Sequence, residues 1–325
     1  PCGRRGESGV RGYVTDAAGR QWLLPRPTAW RMEYTAGMPC DSFWMRCPWE
    51  AGSGTRPGDW PRFWAEHEGE RVFTGVVDEC QVEQSGGGSV LELSGRGMAA
   101  LLLDNEALGE DYGAATMEDI LRDHVRPYGI QTAAGANLPP VSPFSVATGS
   151  SEWSVVYDFA RYYGGVAPRF DREGRLVLTG WPKGETRLIG DGTAVTELVY
   201  RDRRYGVLSQ VLVRDRYSGQ VETVADGEFS AQGGMARRVM TMPGRSNFQT
   251  MRYTGRFQLE RAKGERIRLE VEIGEAFSAW PGELVRVQRS GWDRNGLYRV
   301  AQSTVGMDSR GYWTRLELAP PDFVV

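Results

Sequence analysis

Histidine is almost missing from this chain. Only His67 and His124 occur in 325 residues, which excludes most sites where an imidazole activates a nucleophile or binds a metal. His67 stands among Glu66, Glu68 and Glu70 in a charged strand, and His124 falls on the inner face of a helix, where a satisfied core histidine is expected. No H-E-x-x-H sequence is present. Lysine is as scarce, at Lys183 and Lys263 alone, so arginine carries nearly all the positive charge. Genome composition is one reading of that bias, and guanidinium forks at protein interfaces are the other. The net charge of −3 lacks the basic excess that phosphate neutralisation needs, so no sequence-specific nucleic-acid binding is expected. The four cysteines, Cys2, Cys40, Cys47 and Cys80, match no zinc spacing. A Cys40–Cys47 disulfide is conceivable, but reduced structural thiols are expected in a protein made in a cytosol. No apolar run of about 18 residues exists, and Pro1-Cys2-Gly3-Arg4-Arg5-Gly6 lacks the apolar stretch of a secretory signal. No membrane insertion is therefore expected.

Other catalytic patterns are equally thin. Glu106, Glu110 and Asp111 could in principle pair for glycoside hydrolysis, but they read as a solvated acidic loop without aromatic platforms nearby. Gly95-Arg96-Gly97 lacks the spacing and the lysine of a phosphate loop. No catalytic, cofactor or metal residues are assigned.

What the chain has instead is β pattern and punctuation. Its 42 glycines and 17 prolines are spread along the length, as turns of a β-rich protein require. Apolar residues alternate through Thr28–Thr35, Asp41–Cys47, Arg62–His67, Arg71–Val82 and Val90–Ser94, with a hairpin turn at Glu68-Gly69. Strands follow again at Thr186–Ile189, Val195–Tyr200, Leu208–Asp215, Arg237–Met242, Arg266–Ile273, Leu284–Gln288, Gly296–Val305 and Tyr312–Leu318. The loop Pro48–Pro57 is glycine-rich and expected to be mobile. A helix is predicted from Thr116, with capping-box spacing to Asp119 and an inner face of Met117, Ile120, Leu121, His124 and Val125. Thr132–Gly149 reads as an extended connection. Phe248–Lys263 has helical spacing in Met251, Phe257, Leu259 and Ala262. Eleven tryptophans are present, and Trp44, Trp49, Trp60 and Trp64 fall close together. They serve the core, a subunit contact or, as a third reading, carbohydrate binding.

Ser151–Gly180 is the stretch around which the rest is arranged. Ser151 is an N-cap, and Trp153, Val156, Ala160 and Tyr163, with Val155, Phe159 and Tyr162, give a wide apolar helix face. Gly164-Gly165 ends the helix. Strands at Val166–Phe170 and Arg175–Thr179 are joined by Asp171-Arg172-Glu173-Gly174, with positive φ predicted at Gly174. This helix and hairpin resembles the hub proteins of contractile phage tails, the late control protein D and Mu-like tail hub families, found also in prophage-like particles and R-type bacteriocins. Two further passages share the resemblance. One is Gly75-Val76-Val77-Asp78 followed by Leu91-Glu92-Leu93-Ser94-Gly95-Arg96-Gly97 and a Leu-rich helix. The other runs through Trp280-Pro281-Gly282-Glu283-Leu284-Val285, Gly296-Leu297-Tyr298-Arg299-Val300 and Leu316-Glu317-Leu318.

The resemblance implies a mainly β fold with an α+β insertion, that is, two tail-tube-like β-barrels plus a helix–hairpin domain. The expected units are 1–103 (first barrel), 104–183 (insertion) and 184–325 (second barrel, with a helix–strand excursion near 245–275). It implies a non-enzymatic baseplate hub, a homotrimer joining a hexameric tail tube to a trimeric central spike, beside wedge, LysM-type and tape-measure proteins. Synthesis in a bacterial cytoplasm and residence in the assembled tail or tail-like particle follow. The chain reaches Val325 directly after its last strand, so no lytic or peptidoglycan-binding extension is expected. Two readings compete with the hub, a β-rich cell-wall glycan hydrolase and a carbohydrate-binding receptor module. A faint internal echo favours duplicated β units. Gly75-Val76-Val77, Val82 and Leu91-Glu92-Leu93 parallel Gly296-Leu297-Tyr298, Val300, Val305 and Leu316-Glu317-Leu318.

Overall fold

A computed structural model describes residues 9–36, 40–50, 55–133, 135, 138–180, 187–242 and 246–323. The N-terminal hexapeptide, Cys2, the glycines of the Pro48–Pro57 loop and the final valine lie outside these residues.

Seven strands open the chain: β1 Val10–Thr15, β2 Gln21–Leu23, β3 Ala29–Thr35, β4 Ser42–Trp49, β5 Arg62–His67, β6 Glu70–Ser85 and β7 Gly88–Gly97. Alternation sets their faces. Phe43, Met45 and Cys47 point inward from β4 while Trp44 and Arg46 point outward, the period-2 rule at work. Inside, the rings of Phe43 and Phe63 stack at 3.8 Å, and Met32, Phe73, Leu91 and Leu93 fill the space around them. The β5–β6 connection is a two-residue turn in which Glu68 (φ 51°) and Gly69 (φ 85°) are both left-handed. That is the turn whose twist matches the flanking strands.

The second β unit uses β12 Arg187–Ile189, β13 Val195–Asp202, β17 Ile267–Ile273, β18 Leu284–Val287, β19 Gly296–Asp308 and β20 Gly311–Ala319. Its core is separate and holds Ile189, Leu269, Val271, Ile273, Val285, Leu316 and Leu318. The pairing order is β13-β17-β20-β19-β18-β12, and that of the first unit is β3-β4-β7-β6-β5-β1. The same positions are filled in the same chain order, although β12 runs parallel to β18 whereas β1 runs antiparallel to β5. Corresponding rows cross the two sheets: Met32, Phe43, Gly95 and Val77 in the first, Tyr200, Leu269, Leu318 and Val300 in the second. A β-bulge follows Val77 in one and Val300 in the other. Both long hairpins close on a left-handed glycine, Gly88 and Gly311.

This register sharpens the echo read from the sequence. Val77 and Val82 correspond to Val300 and Val305. Gly75 and Gly296, and the two Leu-Glu-Leu triplets, fall two residues out of step in opposite directions. A shift of two keeps a side chain on its face, so those matches reflect shared patterning rather than position.

The two units join into one sheet where the far half of β19 pairs antiparallel with β3, from Gln302↔Thr35 to Met307↔Trp30. Gly306 permits the close approach there, since a Cβ would lie 2.4 Å from the Trp313 ring and 2.9 Å from the Trp30 carbonyl oxygen.

Between the units lies the α+β insertion, with α1 Ala100–Leu103, β8 Glu110–Tyr112, α2 Met117–His124, β9 Phe144–Val146, α3 Glu152–Asp158, β10 Arg169–Phe170 and β11 Leu176–Val177. Ser151 caps α3 by accepting the Ser154 N–H, and the Thr116–Asp119 capping box on α2 is complete. Helix α3 runs on into a π turn at Phe159–Tyr163, and Trp153, Val155, Val156, Phe159 and Ala160 anchor the core of this unit. The Thr132–Gly149 connection contributes β9, which pairs with β8. The expected hairpin strands shrink to β10 and β11, while Gly174 has φ 76° as predicted.

The excursion from the second unit is larger than the 245–275 stretch and ends sooner. β14 Gln210–Arg214, β15 Val221–Ala225, α4 Gly227–Ala231, β16 Arg237–Thr241 and α5 Phe248–Gly264 form a small α/β body with its own sheet, ordered β15-β14-β16. Met251, Leu259 and Ala262 of α5 bury against Val211 and Val213. The strands Leu208–Asp215 and Arg237–Met242, expected in the second barrel, belong here because their apolar faces meet α5. Ile267–Ile273, expected in the excursion, is an interior strand of the main sheet between β13 and β20.

Candidate functional site

The three parts meet at Trp280. Its ring meets that of Tyr34 of β3 at right angles, 4.9 Å between centres, and the Arg172 guanidinium of the insertion lies 4.4 Å over it. A cleft of about 450 Å³ opens beside this contact, lined among others by Asp41, Trp153, Tyr157, Asp158 and Arg261. Burial pushes the Asp41 carboxyl up to about 7, although the Thr35 N–H donated to it at 2.9 Å acts the other way. Burial likewise pushes Asp158 up to about 6. A carboxyl held near neutral pH can serve as an acid. Here, however, one Asp41 oxygen is occupied by the backbone, and the face of Trp280 that a sugar would stack on carries Arg172. The cleft is built as a junction between units.

The Asp171–Arg175 turn docks on the first unit. Thr74 donates its hydroxyl to the Arg172 carbonyl at 2.9 Å, and a Cβ on Gly174 would lie 2.6 Å from Met98 Cγ and 3.0 Å from Thr74 Cγ2. Arg96 fastens the same side, gripping Asp78 at the β6 bulge and Asp104 at the start of the insertion with contacts of 2.7–2.9 Å. Such bidentate forks are the strong form of an arginine–carboxylate pair.

The four tryptophans separate into two places. Trp60 is 2% exposed and donates Nε1–H to Thr55 at 2.7 Å, with Trp49 edge-on at 5.8 Å. These two close the end of the first core. Trp44 and Trp64 are half-buried on the outward face, separated by β7 and β6. Trp64 has Tyr13 stacked on it at 3.8 Å and the Arg71 guanidinium 3.8 Å from its ring centroid.

His124 is the satisfied core histidine expected. Its Nδ1 is 2.6 Å from Glu152 and its Nε2 is 3.1 Å from the Tyr112 hydroxyl. Tyr128 donates to the other Glu152 oxygen at 2.8 Å, and burial together with that carboxylate pushes its hydroxyl up to about 12. Glu152 was not legible as a buried residue, since a first-turn glutamate ordinarily faces water. Glu106, Glu110 and Asp111 are all exposed. Cys40, Cys47 and Cys80 are free, and burial pushes the Cys47 thiol up to about 12. Among the described residues no group of His, Cys, Asp or Glu is placed to hold a metal, and no helix is long and apolar enough to cross a membrane.

This mainly β architecture is a tail-protein fold. A tail protein from Neisseria meningitidis is similar over 96% of each chain, with a TM-score of 0.74 and 17% identity. The 43 kDa tail protein of prophage MuSo2 from Shewanella oneidensis is similar over 96% of this chain and 99% of its own (TM-score 0.75, 18% identity). The c3393 protein of E. coli is a type VI secretion system component described as structurally similar to the T4 tail proteins gp27 and gp5. It is similar over 92% of this chain and 75% of its own (TM-score 0.56, 13% identity). No protein-family model matches the sequence, and no curated protein does.

Proposed function

We propose that the chain is the baseplate hub of a contractile tail or tail-like injection particle, a homotrimeric adaptor between a hexameric tube and a trimeric spike. The observation that carries this reading is the repeated strand order of the two β units, joined through β3 and β19. Two like units per chain let three chains present six similar faces to a sixfold tube while keeping threefold symmetry for a spike. Residues 1–103, 104–183 and 184–325 are the working units, the last bearing the α/β excursion. The hub's role is structural, its partners are the tube, spike, wedge, LysM-type and tape-measure proteins, and its place is the assembled particle. Trp44 and Trp64, on the outward face, are the tryptophans available for subunit contact, whereas Trp60 serves the core and Trp49 closes its end.

The test is an electron-microscopy reconstruction of the particle. Three copies at the tube tip, with the two β units of each chain related by roughly 60° about the axis, are expected. Six copies in one ring would refute the adaptor. Zymography on cell walls should be blank; clearing lost on mutating Glu106 or Glu110 would favour a glycan hydrolase.

A further inference from the structure

The seam inside the chain has a counterpart that is left open. In the second unit β19 is covered along one side by β20. Its other side is shared, with β18 on the near half and β3 on the far half. In the first unit β6 is covered along one side by β7, and β5 covers the near half of the other side, from Glu70 to Val76. Among the described residues the far half, Asp78–Ser85, has no partner strand on that side, and every residue in it except Cys80 is exposed. Val82 is 46% exposed. The strand that corresponds to β3 is β13, and among the described residues it ends the main sheet with one side unpaired. Each chain therefore offers one uncovered strand edge of each kind, and each edge is eight residues long.

We propose that the far half of β6 pairs antiparallel with β13 of a second copy of this chain, repeating between chains the β19–β3 seam within them. The internal seam supplies the register. Val305 lies opposite Met32 and Gln302 opposite Thr35; carried through the matching rows, Val82 lies opposite Tyr200 and Glu79 opposite Arg203. Charge agrees with that register. Glu79 faces Arg203 and lies diagonal to Arg201, whereas Glu83 lies diagonal to both Arg201 and Glu197 and is neutral in this count; opposite charges across or diagonal to one another stabilise a strand pair. The apolar faces agree as well. Val305 and Met307 of β19 reach across the internal seam to pack on the first core. Val82 in the same position meets Leu198 and Tyr200, which flank the second core. The contact is head-to-tail, so it repeats until a ring closes, and it covers edges that would otherwise invite promiscuous strand addition.

The proposal rests on the trimeric reading, and its test separates the two. A directly opposed antiparallel pair brings Cα atoms to about 4.5–5.5 Å, within disulfide reach. Val82→Cys with Tyr200→Cys, and independently the exposed pair Glu79→Cys with Arg203→Cys, are oxidised in the full-length chain at high concentration. Single variants and the off-register pair Val82→Cys with Thr196→Cys serve as controls. Covalent species of two and three chains and none larger are expected from both matched pairs, with linked peptides identified by mass spectrometry and the off-register pair silent. Failure of both matched pairs overturns the seam, whether the chain is monomeric or oligomeric. Failure in a chain that is three-copy in the particle overturns the seam alone. Six-copy rings overturn the trimer.

Discussion

Replacing Gly174 by valine tests the docking of the insertion on the first β unit in one substitution. Its φ of 76° is a conformation that β-branched residues avoid, and holding one there costs roughly 1–3 kcal/mol. The new Cβ would also sit 2.6 Å from Met98 Cγ and 3.0 Å from Thr74 Cγ2, and such overpacking adds about 1–3 kcal/mol. Together these come to about 2–6 kcal/mol. At roughly 2–4 °C per kcal/mol for a domain of this size, the first thermal transition should fall by about 4–24 °C, read by calorimetry. Thr74→Ser removes the crowding methyl and keeps the hydroxyl that Arg172 accepts. Added to Gly174→Ala, it should restore only the part of the crowding due to Thr74 Cγ2, leaving the Met98 contact and the backbone share lost. An unchanged melting temperature for Gly174→Val would refute both the turn geometry and the docking. Complete rescue by Thr74→Ser would refute the backbone share.

Gly306→Val should destabilise the β3–β19 seam, because Trp313 and the Trp30 carbonyl leave no room for a side chain; limited proteolysis should then release the two β units separately. Asp41 is held protonated by burial up to about pH 7, against about 3.9 in the unfolded chain. The native state thus binds more protons in that window, and stability falls as pH rises from about 4 to 7. Asp41→Asn keeps an acceptor for the Thr35 N–H and should raise the melting temperature at pH 8 but not at pH 4. Glu152→Ala strands the His124 ring and the Tyr128 hydroxyl, at about 1–3 kcal/mol for each buried unpaired group, while Glu152→Gln should lose less in chemical denaturation. Glu68→Asn relieves a left-handed glutamate and should stabilise the chain by a few tenths of a kcal/mol, since asparagine tolerates that region better.

Much of the fold is legible because its signals are local. Period-2 runs mark most strands of both β units, the Thr116 and Ser151 caps mark two helices, and the polar turn before Arg175 places Gly174. What sequence alone misassigns is partnership. Leu208–Asp215 and Ile267–Ile273 are both good strands, and nothing in their alternation says that one pairs beneath α5 while the other enters the main sheet. Short strands such as β8 and β9 fail for another reason, since three residues are too few to show a period. The tryptophan cluster is a cluster in sequence only. Trp44 and Trp64 sit at outward positions of β4 and β5, whereas Trp60 lies in the loop before β5 and is buried in the core. Trp280, where the three parts meet, lies in a passage that the hub resemblance singled out, but its contacts come from residues remote in the chain.

The seam also fixes an order of events during synthesis. β3 emerges early, yet the strand that covers it is among the last to leave the ribosome. At about 5–20 residues per second, the first unit waits on the order of 15–50 s with that edge bare. Neighbouring nascent chains on one messenger carry the same bare edge during the same interval. Any truncation that removes β19 makes the interval permanent, and such fragments should depend on chaperones or aggregate through β3.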